Sequence, residues 1–385
     1  MHSSEQKNNW SLDTVSEIIG DLFCFELILE IKRRMKNEEA KAYVGNFLRI
    51  LAPIYIHEIT TALNKLGIVS KDKLLEPTMS KRINAERQLS THKVIVNSNE
   101  AAKAVKQMGI SFDRKVYDIN IIVKNGELYD LNFESQIAPV DDLDFWNYLF
   151  CLPRTMLNAA LSVLSPDFSL QEIFDNGSEK LNSLANQLDE AFSFSRYSYS
   201  TQRLFQHSVN LETLDKILIL YRYRMITSVN ILSKYLPSFC VTISERKVAD
   251  MNLFFQKYRA LIITILGDEL RQLNTPFANL IKTEIANIIA DTSFFSLNRK
   301  LRNNLHYETT NLLLESELNI VQRNQMLYLS VFEKCFRSCL HVDVDKECKT
   351  MTGFSNAFRS SGMTMEELDK YYYYYYLKYC ITGKL

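Results

Sequence analysis

Apolar residues recur at steps of three and four along most of the chain, the spacing that places them on one face of an α-helix. These stretches cover residues 12–35, 38–66, 145–163, 178–194, 211–236, 244–273, 276–289, 316–340 and 365–381. The 10 Gly and 7 Pro among 385 residues are also few for a loop-rich β-sandwich or a disordered chain. The sequence therefore predicts a mainly α protein.

Capping residues predict where several of these helices begin and end. Ser11 and Ser244 are placed as N-caps, because a serine hydroxyl can accept a hydrogen bond from a free N–H of the first turn. Thr275 and Pro276 supply the N-cap and first helical position of another helix. Gly67 is expected to end the helix at 38–66.

One β-hairpin is predicted at 116–133, where two strand-like runs flank Asn125-Gly126. Asn-Gly favours the positive φ angles of a type I′ turn. A third candidate strand at 93–96 and a helix at 101–108 would complete a small α+β element.

The length of the chain predicts two domains, since compact domains usually hold about 100–200 residues. The segment 193–200 interrupts the helical period and is the predicted boundary. Residues 1–195 are therefore expected to form an N-terminal helical, α+β module that carries the hairpin. Residues 196–385 are expected to form a C-terminal antiparallel helical bundle, because long helices with short connections favour that arrangement.

Charge and motif content exclude several functions. Lys+Arg and Asp+Glu number 45 each, so any contact with nucleic acid must be local. The first residues do not resemble a secretion signal, and apolar runs such as 260–266 are far shorter than the roughly 20 residues that cross a bilayer. A cytoplasmic protein with no membrane partner is expected. The chain has no phosphate-binding Gly loop, Gly-x-Ser-x-Gly or His-Glu-x-x-His motif, which argues against nucleotide hydrolases, serine hydrolases and zincin proteases.

Four soft ligands, Cys335, Cys339, His341 and Cys348, lie close enough in sequence to suggest a zinc site. Cys335 and Cys339 are one helical turn apart, however, and an apolar helix stripe would hold them without a metal. Reduced thiols and no metal are the favoured interpretation.

The hairpin offers a different metal site. Asp130, Asn132 and Glu134 alternate along one strand and therefore share a face, with Asp118 on the partner strand. Carboxylates clustered in this way can hold Mg²⁺ for phosphodiester hydrolysis. Gln136 stands where a restriction-endonuclease-like site would have Lys, so a polar strand face in water is the simpler explanation.

The stretch 299–308, Arg-Lys-Leu-Arg-Asn-Asn-Leu-His-Tyr-Glu, concentrates side chains suited to RNA cleavage. The stretch contains His306, and histidine is the residue type whose unperturbed pKa, about 6.5, suits proton transfer near neutrality. Arg299 and Arg302 offer permanent forked charges for a phosphate. On one continuous helix, these three side chains would lie on the same face.

This stretch resembles the HEPN domains (higher eukaryotes and prokaryotes nucleotide-binding), helical bundles whose ribonuclease members carry Arg-x4–6-His, often Arg-Asn-x3-His. The resemblance covers at most 211–385. Arg299-x6-His306 fits the loose spacing, and Arg302-Asn303 reproduces the Arg-Asn pair, although only three residues separate Arg302 from His306.

The resemblance implies a metal-independent endoribonuclease that needs no cofactor and acts as a toxin or phage-defence effector. His306 would be the general acid or base, Arg302 or Arg299 the phosphate clamp, and Asn303 a positioning amide. Lys300 and Tyr307 are predicted to contact RNA. The expected partners are an RNA substrate, a second copy in a homodimer that pools two Arg-His sets, and a regulatory protein.

The alternative is a non-enzymatic helical interaction protein with a degenerate HEPN-like bundle, which neutral net charge favours. Here 299–304 is a solvated cationic helix end, and His306 caps backbone carbonyls. The run 371–376, six consecutive tyrosines, then belongs to packing or an assembly surface. Arg87 and His92 also fit the Arg-x4-His spacing but lack the Arg-Asn context.

Overall fold

A computed structural model describes most of the chain up to residue 350. The described residues are 2–70, 75, 77–91, 112, 119–132, 141–164, 170–208, 210–236, 240–243, 246–307, 313–343 and 349–350. The predicted strand at 93–96, the predicted helices at 101–108 and 365–381, and the tyrosine run 371–376 lie outside these residues.

Helices dominate the described residues, which confirms the mainly α prediction. They are α1 (His2–Arg34), α2 (Glu38–Lys65), α3 (Pro77–Thr91), α4 (Asp141–Leu164), α5 (Leu170–Asn176), α6 (Ser178–Ala191), α7 (Thr201–Leu204), α8 (Thr213–Tyr235), α9 (Met251–Gln272), α10 (Pro276–Ile288), α11 (Ser293–Asn303) and α12 (Glu315–Ser338). A 3₁₀ turn, Asn304–His306, follows α11. In the described part of the chain, no helix has the length and apolarity needed to cross a membrane.

The strands form two small antiparallel sheets. They are β1 (Ile119–Lys124), β2 (Glu127–Asn132), β3 (Ser195–Tyr199), β4 (Cys240–Ile243), β5 (Arg246–Asp250) and β6 (Lys349–Thr350). The larger sheet has the order β2-β1-β3-β6, and β4 pairs with β5 alone. The predicted hairpin is confirmed, with φ angles of 54° at Asn125 and 81° at Gly126, as a type I′ turn requires.

Residues 193–200, predicted as a domain boundary, contribute β3 to the sheet. Asn120 of β1 pairs with Ser198 of β3. One apolar core also contains residues from both sides of position 195, among them Phe47 of α2 and Phe255 of α9, whose ring centroids are 6.1 Å apart. The division into 1–195 and 196–385 stays a prediction about independent folding, while the described residues of both parts share a sheet and a core.

Two of the predicted helix starts are wrong. Helix α1 begins before Ser11, so this residue is not its N-cap. Helix α9 begins at Met251, and Asp250 is its N-cap, because the Asp250 carboxylate accepts hydrogen bonds from the backbone N–H groups of Asn252 and Leu253. The residues before α9 pair as β4 and β5 instead of extending the helix.

Two other predicted helix ends are confirmed. Thr275 caps α10, its hydroxyl accepting a hydrogen bond from Ala278 N at 3.1 Å, and Pro276 is the first residue of that helix. Gly67 follows α2 with a φ of 70°, and its N–H donates to the Asn64 carbonyl at 3.1 Å.

Helix α9 connects the candidate site to the rest of the fold. It packs against α8, α11 and α12 and also contacts α1, so it is buried on most of its circumference. Helix α2 packs against α3 and reaches the Asn304–His306 turn. Residues from the first ninety positions therefore lie beside the Arg-Asn-His stretch.

Candidate functional site

The Arg-Asn-His stretch crosses the end of a helix. Arg299 and Arg302 lie on α11, which ends at Asn303, and His306 lies on the 3₁₀ turn that follows. Leu301 and Leu305 are buried and fix this turn to the protein interior. His306 therefore lies outside the α-helix that carries the two arginines, and the expectation that one continuous helix holds all three cationic side chains is wrong.

Arg302 and His306 line the same cavity, which has a volume of about 140 Å³. Its polar wall also contains Glu58 of α2, Arg87 of α3 and Asp268 of α9. The apolar part of the wall consists of Ile54, Leu261, Ile265 and Leu305. The predicted proximity of Arg302 to His306 is thus present in the structure.

A hydrogen bond between His306 and Glu58 sets the orientation of the imidazole. His306 Nδ1 lies 3.0 Å from Glu58 Oε2. The His306 side chain is 34% exposed and that of Glu58 is 14% exposed. With the carboxylate at Nδ1, the Nδ1–H tautomer is favoured and Nε2 is left with a lone pair. His306 therefore binds a carboxylate, not the backbone carbonyls expected of a simple helix cap.

The pKa of Glu58 reflects two opposed effects. Burial raises it, and the hydrogen bond and charge of His306, together with the charges of His57 and Arg87, lower it by more. The pKa is therefore below its ordinary value, which keeps a negative charge beside His306 at neutral pH.

Arg87 completes the wall of the cavity from α3. Its Nη1 lies 3.3 Å from Glu58 Oε1, and its Nη2 donates to Asn84 Oδ1 at 3.1 Å. In the sequence, Arg87 has only its Arg-x4-His spacing to His92, which lies outside the described residues. The structure places Arg87 next to the Glu58–His306 pair.

Arg302 brings a cation with unused hydrogen-bonding capacity. Its Nη1 donates to Asn303 Oδ1 at 3.3 Å, and its Nε is buried without a hydrogen-bond partner among the described residues. A buried unpaired donor is unfavourable, and an anion such as phosphate can satisfy it. Asp268 in the same wall forms an ion pair with Arg271, which reduces its repulsion of an anion.

Arg299 does not line this cavity. It is exposed on α11 and borders a second cavity, between α9, α10 and α11. Lys300 is also exposed. Arg302 is therefore the arginine that the structure places with His306.

Tyr307 does not have the accessible position expected of an RNA contact. Only 5% of the residue is exposed, and its hydroxyl donates to Asp21 Oδ2 at 2.7 Å. Lys257 Nζ lies 5.9 Å from the centre of the ring. With its ring in the core, Tyr307 has no free face for a base, so its assignment as an RNA contact is corrected to a structural one.

A buried ion cluster lies beneath Tyr307. Lys257 Nζ is 2.9 Å from Asp21 Oδ2 and 2.7 Å from Glu17 Oε1. Burial lowers the pKa of Lys257, but the two carboxylates outweigh burial and raise it. The pKa of Glu17 is raised, chiefly by burial. These groups join α1 to α9 directly under the His306 turn.

The four soft ligands considered for zinc do not assemble in the described residues. Cys339 Sγ donates to the Cys335 carbonyl at 3.3 Å, as expected within one helical stripe. The ring of His341 packs on that of His207 at 4.3 Å, and Cys348 is not among the described residues. The described part of the chain contains no group of three or more His, Cys, Asp or Glu residues placed to hold a metal.

The hairpin carboxylate Asp130 faces the core, not water. It is 1% exposed and accepts hydrogen bonds from Thr227 Oγ1 and Leu131 N, both at 2.7 Å. Burial raises its pKa to about 7, against the opposing effects of Arg224 and these hydrogen bonds. The expectation of a solvated polar strand face is therefore wrong at this position. Asp118 and Glu134 lie outside the described residues.

Glu58 is the site residue that sequence reasoning missed. A single glutamate in an amphipathic helix is typical of a solvent-facing side. In addition, 248 positions separate Glu58 from His306. No local pattern signals such a contact.

A scan of family models, a search of curated proteins and a search of solved structures returned no match to this chain.

Proposed function

We propose that this protein is a metal-independent endoribonuclease of the HEPN type that acts as a toxin or phage-defence effector. The observation that carries the proposal is the convergence of His306 and Arg302 in one cavity, with Glu58 holding His306 Nδ1. The His306 side chain is 34% exposed, and the proposed reaction uses Nε2, the ring nitrogen that does not contact Glu58. The site draws on α2 and α3 as well as on the region of the HEPN resemblance.

The proposed reaction uses the 2′-hydroxyl of RNA as the nucleophile. His306 Nε2 removes the hydroxyl proton, O2′ attacks the adjacent phosphorus, and the bond to O5′ breaks as that oxygen takes up a proton. The products are a 2′,3′-cyclic phosphate and a free 5′-hydroxyl. Arg302, positioned by Asn303, stabilises the charge on the phosphate oxygens, and Glu58 stabilises the imidazolium that forms.

A homodimer would complete the site. Among the described residues that line the cavity, His306 supplies the single imidazole, while the reaction needs both a base and an acid. A second copy that faces the first across a two-fold axis would supply the other His306 and a further Arg302. A regulatory protein partner that covers the cavity would keep the enzyme silent until triggered.

The first experiment is cleavage of end-labelled RNA in the presence of EDTA by the wild type, His306→Ala and Arg302→Ala. His207→Ala and Arg323→Ala are matched controls, because both residues are exposed and neither lines the cavity. We expect wild-type and control proteins to cut RNA and the two site variants to lose about 10²–10⁴-fold in rate. Equal rates in all five proteins would exclude this site, and a strict metal requirement would exclude the mechanism.

The second candidate is an interaction protein without catalysis. Large apolar side chains are exposed on α10, α11 and α12, including Leu280, Phe295 and Met326. Exposed apolar side chains can mark a partner surface where they form one patch. A homogeneous protein that binds a partner but leaves RNA intact, with and without that partner, would favour this candidate over the nuclease.

A further inference from the structure

A second cavity lies next to the one that holds His306. Its volume is about 330 Å³, and it is bounded by α9, α10, α11 and α12. Much of its wall is apolar, with Leu270, Ile285, Phe295 and Tyr328 among the lining residues. Phe295 is 47% exposed, so the cavity offers an aromatic ring that is accessible from solvent.

Three cations border this apolar cavity. They are Arg271 of α9, Lys282 of α10 and Arg299 of α11. Lys282 donates to the Leu273 carbonyl at 2.8 Å, and Arg271 pairs with Asp268. Arg299 makes no hydrogen bond or ion pair within the described part of the chain, so its guanidinium is available to a ligand. An aromatic, apolar pocket with a cationic border fits a nucleobase whose phosphate lies at the rim.

The two cavities are adjacent. Thr264 of α9 lines both of them. Arg299 and Arg302 are three positions apart on α11, with Arg299 at the second cavity and Arg302 at the first. A single strand of RNA can therefore place one phosphate near Arg302 and the base of a neighbouring nucleotide in the second cavity.

We propose that the cavity lined by Phe295 and Arg299 binds one nucleotide of single-stranded RNA, the base stacked on Phe295 and the phosphate held by Arg299. This inference deepens the proposed ribonuclease function and rests on it for the identity of the substrate. It gives Arg299 a role in substrate binding in place of the catalytic role expected from the spacing to His306.

The test measures RNA affinity separately from cleavage. Each variant is made in the His306→Ala background, so that a fluorescently labelled short single-stranded RNA stays intact, and binding is followed by anisotropy over a range of salt concentrations. The variants are Phe295→Ala and Arg299→Ala. The controls are Met326→Ala, another exposed apolar residue, and Arg323→Ala, another exposed arginine.

The two substitutions should change RNA binding in different ways, one in affinity and the other in salt dependence. Phe295→Ala is expected to weaken binding about 5- to 150-fold, the range of lost base–aromatic stacking, with an unchanged salt slope. Arg299→Ala is expected to lower the slope of log affinity against log salt by about 0.7, the value for one phosphate contact on a single strand. Both controls should retain the affinity and slope of the His306→Ala parent.

Failure of this inference and failure of the proposed function give different results. RNA binding that depends on Phe295 and Arg299, in a protein that never cuts RNA, would support the nucleotide site and exclude the nuclease. Cleavage by the wild type together with unchanged affinity in both variants would overturn the nucleotide site alone. Loss of a dimer in Phe295→Ala, at unchanged RNA affinity, would assign the cavity to a second copy and also overturn it.

Discussion

The Tyr307 hydroxyl donates a 2.7 Å hydrogen bond to Asp21 Oδ2, across 286 positions of sequence. Tyr307 follows His306 directly and has a φ of 51°, in the left-handed region that residues other than glycine seldom adopt. Asp21 in turn accepts a hydrogen bond from buried Lys257. The ion cluster therefore holds a strained residue in place immediately beside the candidate catalytic histidine.

Tyr307→Phe should destabilise the protein by about 1–3 kcal/mol, since it removes one hydrogen bond from a buried carboxylate and leaves the ring volume nearly unchanged. Urea unfolding measures the difference in free energy. Tyr197→Phe is the matched control, because Tyr197 is half-buried on β3 and should change stability little. Equal unfolding midpoints for wild type and Tyr307→Phe would show that the hydrogen bond does not hold the turn.

Lys257→Met should be more damaging, by about 3–5 kcal/mol, because it leaves Asp21 and Glu17 without their buried cation. Lys257 lowers the pKa of Glu17 against the effect of burial, so its loss raises the pKa of Glu17 in the folded protein further. Ionising Glu17 on the way from acid to neutral pH then destabilises the variant more. Unfolding of Lys257→Met and of Lys334→Met, an exposed control, should be compared at pH 5 and pH 8. A Lys257→Met deficit that shrinks as pH rises would contradict this account.

Glu58→Gln should lower the cleavage rate at saturating RNA by at least about tenfold. This loss should be smaller than the loss of about 10²–10⁴-fold expected when the base itself is removed. The amide loses the negative charge that stabilises the imidazolium, and Glu58 does not need to contact RNA. RNA affinity should therefore stay at the wild-type value while the rate falls. Glu38→Gln, an exposed change at the start of the same helix, serves as the control. A change in affinity alone would identify Glu58 as a binding residue and not a positioning residue.

Asp130 should make the protein less stable as pH rises from about 4 to about 7. Its pKa is about 7 in the folded protein and about 3.9 in an unfolded chain, so in that window the folded state holds one more proton. The loss is at most about 1.4 kcal/mol per pH unit and levels off above pH 7. Asp130→Asn removes the titrating group, so its stability relative to wild type should increase through this window.

Unfolding at several pH values between 5 and 8 measures this difference. Glu127→Gln is the control, because Glu127 is an exposed acid on the same strand. A constant difference between Asp130→Asn and wild type at every pH would show that Asp130 does not titrate in this window.

Local sequence signals predicted the parts of the fold that depend on local interactions. Asn125-Gly126 determines its turn through backbone preference, and Thr275-Pro276 caps α10 within one helical turn. Strand β3 is different, because it pairs with β1 more than seventy positions earlier. The broken helical period at 193–200 was visible in the sequence, but the strand partner was not.

In the candidate site too, local sequence signals predicted some residues, and long-range packing placed the others. The sequence indicated His306 and Arg302, which are four positions apart and reach one cavity across a single turn. It did not separate Arg299 from them, because Arg299 and Arg302 are three positions apart on α11 and only the packing around that helix places them at different cavities. Glu58 comes from a distant helix, and only the packing of α2 on the turn brings it to His306.

The long sequence separations of these contacts also determine when the cavity can form during synthesis. The contact of Glu58 with His306 and that of Asp21 with Tyr307 both need residues near position 307. These polar contacts of α1 and α2 therefore cannot form until the ribosome has passed residue 307. At about 5–20 residues per second, synthesis of the chain up to residue 307 takes about 15–60 s. Until then, the nascent chain cannot bring Glu58 to His306 or Asp21 to Tyr307. On the proposed function, the site is therefore incomplete until residue 307 has been synthesised, which is most of the described chain.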